Sequence, residues 1–106
     1  MMENLDLTIH EPARLRIMMI LSGVNKVDFN FLLSTLGMTK GNLSSHIAHL
    51  EKAGYVNVLK SFNGKIPNTS YQLTENGKSA LLEYWNTLDK IRNLSKNYAK
   101  LDKQQN

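Results

Sequence analysis

Residues 39–54, Thr-Lys-Gly-Asn-Leu-Ser-Ser-His-Ile-Ala-His-Leu-Glu-Lys-Ala-Gly, constrain the fold of this chain more than any other stretch. Their apolar stripe is narrow: Leu43, Ile47 and Leu50 recur at i, i+4 and i+7, the spacing of one helix face. Thr39 is placed to cap such a helix and Gly54 to close it, so a helix over 39–53 is expected. With Leu43 set at 0° and about 100° per residue, the stripe centres near roughly 7°. Gly41, Asn42, Ser45, Ala48, His49 and Lys52 then fall roughly between 140° and 260°. That flank is slim, tipped with hydrogen-bonding groups and nearly free of negative charge, where an ordinary surface helix carries Glu and Lys. Such a flank suits a helix pushed into the major groove of double-stranded DNA.

The elements on either side strengthen this expectation. Thr8 and Glu11 have capping-box spacing, and Pro12 suits a first helical turn, so a helix is predicted from His10–Pro12 through Leu15, Met18, Met19 and Ser22 to a stop at Gly23. A short extended piece follows around Val24–Val27. Asp28 is a good N-cap for a second helix, Phe29 to Leu36, with Gly37 as its stop. Only Gly37 and Met38 then separate it from Thr39, the tight Gly-containing join of a helix-turn-helix. After Gly54 the pattern turns to β, at Tyr55–Ser61 and again at Ser70–Thr74. Asn63-Gly64 between them signals a hairpin, and Pro67 suits a loop or an edge. Thr74 caps a long terminal helix with no breaker from Lys78 to Lys100. The fold expected is mainly α with a small β-hairpin wing, as one domain over 1–106. Its winged helix-turn-helix core spans 8–74 and a C-terminal helix spans 75–102.

In this order the elements resemble winged-helix transcriptional regulators of the MarR/ArsR type, and most closely their small branch of roughly 100 residues. The resemblance is carried by Ala13-Arg14-Leu15-Arg16-Ile17, by Gly41-Asn42-Leu43-Ser44-Ser45-His46-Ile47, by Leu50-Glu51-Lys52-Ala53-Gly54-Tyr55-Val56 and by Thr69-Ser70-Tyr71-Gln72-Leu73-Thr74. It implies a homodimer that binds an operator as a transcription factor. Two departures stand out. Many relatives carry Arg where Ser45 stands, and their wings often carry several Arg residues, where this wing offers Lys65, with Lys60 at its base.

Charge follows the same geography. The net charge is +4, and between residues 39 and 74 the positive residues Lys40, Lys52, Lys60 and Lys65 face Glu51 alone, so that stretch holds three of the four. Phosphate contact requires such concentration. The DNA-binding set expected is therefore Thr39, Lys40, Gly41, Asn42, Ser44, Ser45, His49 and Lys52 on the helix, with Lys60, Asn63 and Lys65 on a wing over 61–69. Base contacts fall to Asn42, Ser45, His49 or Lys40. Arg14 and Arg16 are expected to pair with acids or serve solubility. His46, at the edge of the buried stripe, is expected to pack against or bond to a neighbouring element. His46 and His49 at i, i+3 make a weak metal site without Cys or carboxylate beside them, so no metal and no cofactor is assigned.

The terminal helix carries Leu81, Tyr84, Trp85, Leu88, Ile91, Leu94, Tyr98 and Leu101 in steps of three or four. At ~26 residues and ~1.5 Å each it runs ~39 Å, against a radius of gyration of ~13 Å for a domain of this size. It outruns the body that could cover it, and pairing with a second copy is the simplest remedy. The dimer interface expected is Leu5 with Leu81, Tyr84, Trp85, Leu88, Ile91, Leu94 and Tyr98, with Leu7 and Ile9 as candidate additions. The residues Lys90, Arg92, Lys96, Lys100 and Lys103 read as a solvated face.

With 42% apolar and 21% charged residues the chain reads as an ordinary globular protein. No cysteine is present, so disulfides and thiolate chemistry are excluded. The acidic start Met1-Met2-Glu3-Asn4-Leu5-Asp6 is unlike a secretion signal, and no apolar run approaches a membrane span, so a cytoplasmic protein without membrane contact is expected. No catalytic constellation is present: no phosphate loop, no nucleophile–base pair and no inward pair of carboxylates. A winged helix that binds a polypeptide and no nucleic acid, and a regulator that senses a ligand or metal, are the rival readings, and a small-molecule effector is left open.

Overall fold

The computed structural model describes residues 4–105, with side chains through Lys103, so the expectation for Met1–Glu3 lies outside the described residues. The order is α1 (Pro12–Ser22), β1 (Val27–Asp28), α2 (Phe29–Leu36), α3 (Lys40–Lys52), β2 (Val56–Asn63), β3 (Ile66–Leu73) and α4 (Glu75–Gln105). The helical expectations hold because their signals are local. Asp28 caps α2 by accepting from Phe31 N at 2.8 Å, and Gly37 ends it at φ 64°, a left-handed conformation that costs glycine nothing. Thr39 Oγ1 accepts from Asn42 N at 3.2 Å to start α3. Thr74 Oγ1 does the same for α4, accepting from Gly77 N at 2.9 Å.

Three details differ. The cap of α1 is Glu11, whose carboxylate accepts from Arg14 N at 2.7 Å. Thr8 instead donates its backbone N–H to Asp6 Oδ1 at 2.9 Å within the preceding turn, so no capping box forms. The inward face of α1 is Ile17, Met18 and Leu21, while Met19 points out at 48% exposure. The hairpin is longer than the β pattern suggested, because main-chain pairing runs on past the alternation of side chains. It is paired from Val56↔Leu73 to Asn63↔Ile66.

The turn is therefore Gly64-Lys65, with Gly64 at φ 67° and no positive φ at Lys65, the type II′ pattern. Asn63 and Ile66 make the hydrogen-bonded pair beside the turn, which leaves Phe62↔Pro67 a non-bonded pair. Pro67 thus costs the ladder nothing. On its other edge β3 pairs with β1 only at Tyr71↔Val27 and Ser70↔Asp28, giving an antiparallel sheet ordered β1-β3-β2.

One core holds the elements together. Leu43, Ile47 and Leu50 of α3 are buried, as their spacing predicts, against Ile9, Ile17, Met18, Leu32 and the sheet residues Val56, Tyr71 and Leu73. Two calls on the terminal stripe are corrected here. Leu81 and Tyr84 are 5% and 3% exposed and belong to this core, because the first turns of α4 lie over α1 and β3. His10 Nδ1 bonds Tyr84 Oη at 2.9 Å and holds that ring inward. Two N-terminal residues are likewise taken up: Ile9 is fully buried and Leu5 packs on the same core, while Leu7 stays exposed.

After Thr87 no described residue of α4 is buried. Some 18 residues, ~27 Å of helix, project from the body, and the chain measures 71 × 26 × 21 Å. No helix among the described residues is long and apolar enough to cross a membrane.

The N-terminal segment is also pinned to the start of β2. Tyr55 Oη donates to Asp6 Oδ2 at 2.5 Å. That bond, with burial and the nearby carboxylate charge, pushes the phenol up to about 12. The fold favours the neutral phenol, so the stabilisation is complete below the unfolded value near pH 10 and is lost as pH rises toward 12. Thermal melts from about pH 9 to about pH 12 should fall more steeply for the native chain than for Tyr55→Phe. Parallel curves would show that the bond adds nothing.

Candidate nucleic-acid interface

The exposed flank of α3 is the one the wheel placed there. Thr39, Lys40, Gly41, Asn42, Ser44, Ser45, Ala48, His49 and Lys52 are all exposed. Among the described residues, the side chains of Asn42, Ser45, His49 and Lys52 have no hydrogen bond or ion pair within the chain. Their polar tips are open to an outside partner. Ser45, Ala48, His49, Lys52 and Ala53 also line an open groove of about 440 Å³ whose far side is Thr8. The N-terminal segment therefore borders the C-terminal half of the flank.

A polar contact also ties α3 to α1 at the edge of the core. Arg14 Nη1 lies 3.2 Å from His46 Nδ1. A guanidinium only donates, so the contact is a hydrogen bond when Nδ1 carries no proton. The same Arg14 donates from Nε to Thr8 O at 2.6 Å and from Nη2 to Leu7 O at 3.3 Å, tying the N-terminal segment in.

Glu11 Oε2 closes the cluster at 3.9 Å from Arg14 Nη1 and 3.6 Å from His46 Nδ1. Burial pushes the Glu11 carboxyl up, but backbone N–H bonds from Arg14 and Ala13, the charge of His46 when protonated and that of Arg14 outweigh it and lower its pKa. The pairing expected for Arg14 with an acid is present. Its grip on His46 and on two carbonyls was not readable, because those partners come from other elements. His46 is thereby committed to Arg14 while His49 is exposed, so the two do not converge. Among the described residues no group of three His, Cys, Asp or Glu side chains could hold a metal.

The wing stands beside this flank. Lys60, Asn63 and Lys65 are exposed, with Lys65 at the turn. Between wing and helix runs a groove of about 380 Å³ lined by Asp28, Phe29 and Asn30, by Ser44 of α3, and by Pro67, Asn68, Thr69 and Tyr71 of β3. Asn68 and Thr69 are polar neighbours of the flank that the sequence pattern did not single out. The strand pairing that brings them there is the only signal, and it is not local.

Residues 13–92 match the family described as "Winged helix DNA-binding domain". An uncharacterized protein of Methanocaldococcus jannaschii is 35% identical over 86 residues, 80% of this chain and 89% of that protein. The structure of a transcriptional regulator homologue from Pyrococcus horikoshii superposes with a TM-score of 0.77 and 30% identity, over 83% of this chain and 87% of that one. A MarR-family regulator structure from Enterococcus faecalis gives 0.66 at 23% identity, over 92% and 84%, a likeness in fold alone.

Proposed function

The chain belongs to the winged helix DNA-binding domain family, and from that premise we propose that it is a transcriptional regulator whose two copies read a dyad-symmetric operator. The observation that carries this reading is the open flank of α3, slim and polar, bordered by a wing without acidic residues. In the proposed complex α3 of each protomer enters the major groove. Asn42, Ser45 and His49 meet base edges there, and Lys40, Lys52, Lys60 and Lys65 meet phosphates. Thr39, Gly41, Ser44 and Asn63 border the contact.

Pairing is proposed through α4 from Trp85 onward. Trp85, Leu88, Ile91, Leu94 and Tyr98 are its half-buried to exposed apolar positions. Trp85, Leu88 and Ile91, with Asp89 and Arg92, line an open hollow of about 620 Å³. Two half-sites would lie ~34 Å apart or a multiple of that.

The roles separate in one experiment: duplexes are selected from a random pool, and anisotropy titrations are then run across a salt series. Lys65→Ala should weaken selected and random duplex alike and flatten the salt slope by about 1. Asn42→Ala or Ser45→Ala should cost about 1 kcal/mol or more on selected duplex and little on random duplex. Equal losses on both duplexes would remove Ser45 and Asn42 from the base-reading face. No shift of any duplex at low salt would leave a winged helix that binds something other than DNA.

A further inference from the structure

We propose that the end of the wing is an apolar wedge. Phe62, with Pro67 beside it, enters between stacked base pairs from the minor groove, while Lys65 holds the adjacent phosphate. The inference rests on the DNA-binding reading of α3 and adds a second mode of sequence recognition to it.

Phe62 and Ile66 are 74% and 70% exposed although both sit in fully paired strands. Isolated surface apolar residues need no explanation, but Phe62 and Pro67, directly opposite each other at the hairpin end, form a patch on one face, with Ile66 exposed on the other. Neither side chain adds to the core, and the hairpin keeps its register through main-chain pairing. The patch has a direction. Pleating puts Phe62 on the same face as Val58 and Lys60, and opposite it across the strands stands Pro67, followed by Thr69 and Tyr71. Pro67, Thr69 and Tyr71 line the groove that Ser44 of α3 shares. Phe62 therefore leaves the sheet on the side where the polar flank of α3 begins.

Charge selects the partner. From Lys52 to Thr74 the chain has no Asp or Glu, and Lys60 and Lys65 flank the patch. An apolar tip collared by lysines, on the same side as a groove-reading helix, matches a polyanion with a stacked apolar interior. The tip is also slender. Gly64 at φ 67° makes a two-residue turn, so only two strands about 4.8 Å apart approach a groove about 6 Å wide. Apolar side chains that enter this way part a base step and kink the duplex, and pyrimidine–purine steps part most easily. The wing then reads deformability. That would supply preference that a recognition helix without Arg gives up.

The test compares pools selected from random duplex by the native chain and by Phe62→Ser, with Phe62→Trp as the conservative variant. The native and Trp chains should enrich TA or CA steps outside the α3 motif, roughly tenfold over background. Their selected duplex, dye-labelled at both ends, should show a shortened end-to-end distance on binding. Phe62→Ser should keep the inner motif and the salt slope and lose both the flanking steps and the shortening. Identical flanks and identical end-to-end distances for native chain and Phe62→Ser would overturn the wedge while leaving DNA binding intact. Failure of the native chain to enrich any motif would overturn both. Co-sedimentation with vesicles containing phosphatidylserine, lost in Phe62→Ser while the duplex results stay unchanged, would assign the tip to a lipid surface and overturn the wedge.

Discussion

Gly77→Ala is expected to destabilise the chain by about 2–4 kcal/mol, a fall of roughly 10–20 °C in Tm. In an open helix the same change is favourable, because alanine loses less entropy than glycine by up to about 1 kcal/mol. Here the sign reverses. A Cβ on Gly77 would overlap the carbonyl oxygen of Tyr55 and crowd Leu73 Cδ2. The obstacle is main chain and cannot swing aside. That carbonyl also accepts from Thr74 N at 3.0 Å, and Thr74 Oγ1 donates to Gly54 O at 2.6 Å. The start of α4 is thus clamped to the turn that ends α3, and any retreat of the helix breaks the clamp. Gly41→Ala is the control, since nothing lies within 4 Å of its Cβ position. It should leave Tm unchanged or raised. If thermal melts rank the two variants alike, the close approach at Gly77 is not what fixes α4.

Ile91→Asp combined with Leu94→Asp is expected to abolish the proposed pairing through α4 and to weaken binding of a dyad-symmetric duplex by about 10²–10⁴-fold. Both side chains lie beyond Thr87, the last buried residue of α4, so the folded body does not depend on them. Paired, they bury an apolar strip that continues through Tyr98 and Leu101, which are 64% and 52% exposed in one chain. The carboxylates would have to be desolvated in the interface, which a dimer does not tolerate. Light scattering decides the matter. The native chain should weigh twice 12.1 kDa and the double variant 12.1 kDa. A native mass of 12.1 kDa at micromolar concentration would reject pairing through α4 and with it the operator geometry.

The open flank of α3 is legible in the sequence because helix caps and apolar spacing act over three or four residues. Asp28, Gly37, Thr39 and Gly54 mark where α2 and α3 start and stop, and Leu43, Ile47 and Leu50 decide which way α3 turns. What faces out follows by elimination. The terminal stripe was read less well for a physical reason. Leu81, Tyr84, Trp85 and Leu88 look alike to a helical period, yet the first two are core and Trp85 is 37% exposed. Their fates depend on where α1 and β3 lie, which the period does not encode.

The sequence by itself determined the helices and the open face of α3, since the forces that set them reach no further than a helical turn. Only the tertiary structure decided the rest. Arg14 of α1 meets His46 of α3 across 32 residues, and Val27 pairs with Tyr71 to make the hairpin a sheet. Gly77 admits the Tyr55 carbonyl, and the hairpin end is left with Phe62 and Ile66 uncovered. Each of these depends on two stretches of backbone arriving at the same place, and that position is set by the packed core as a whole.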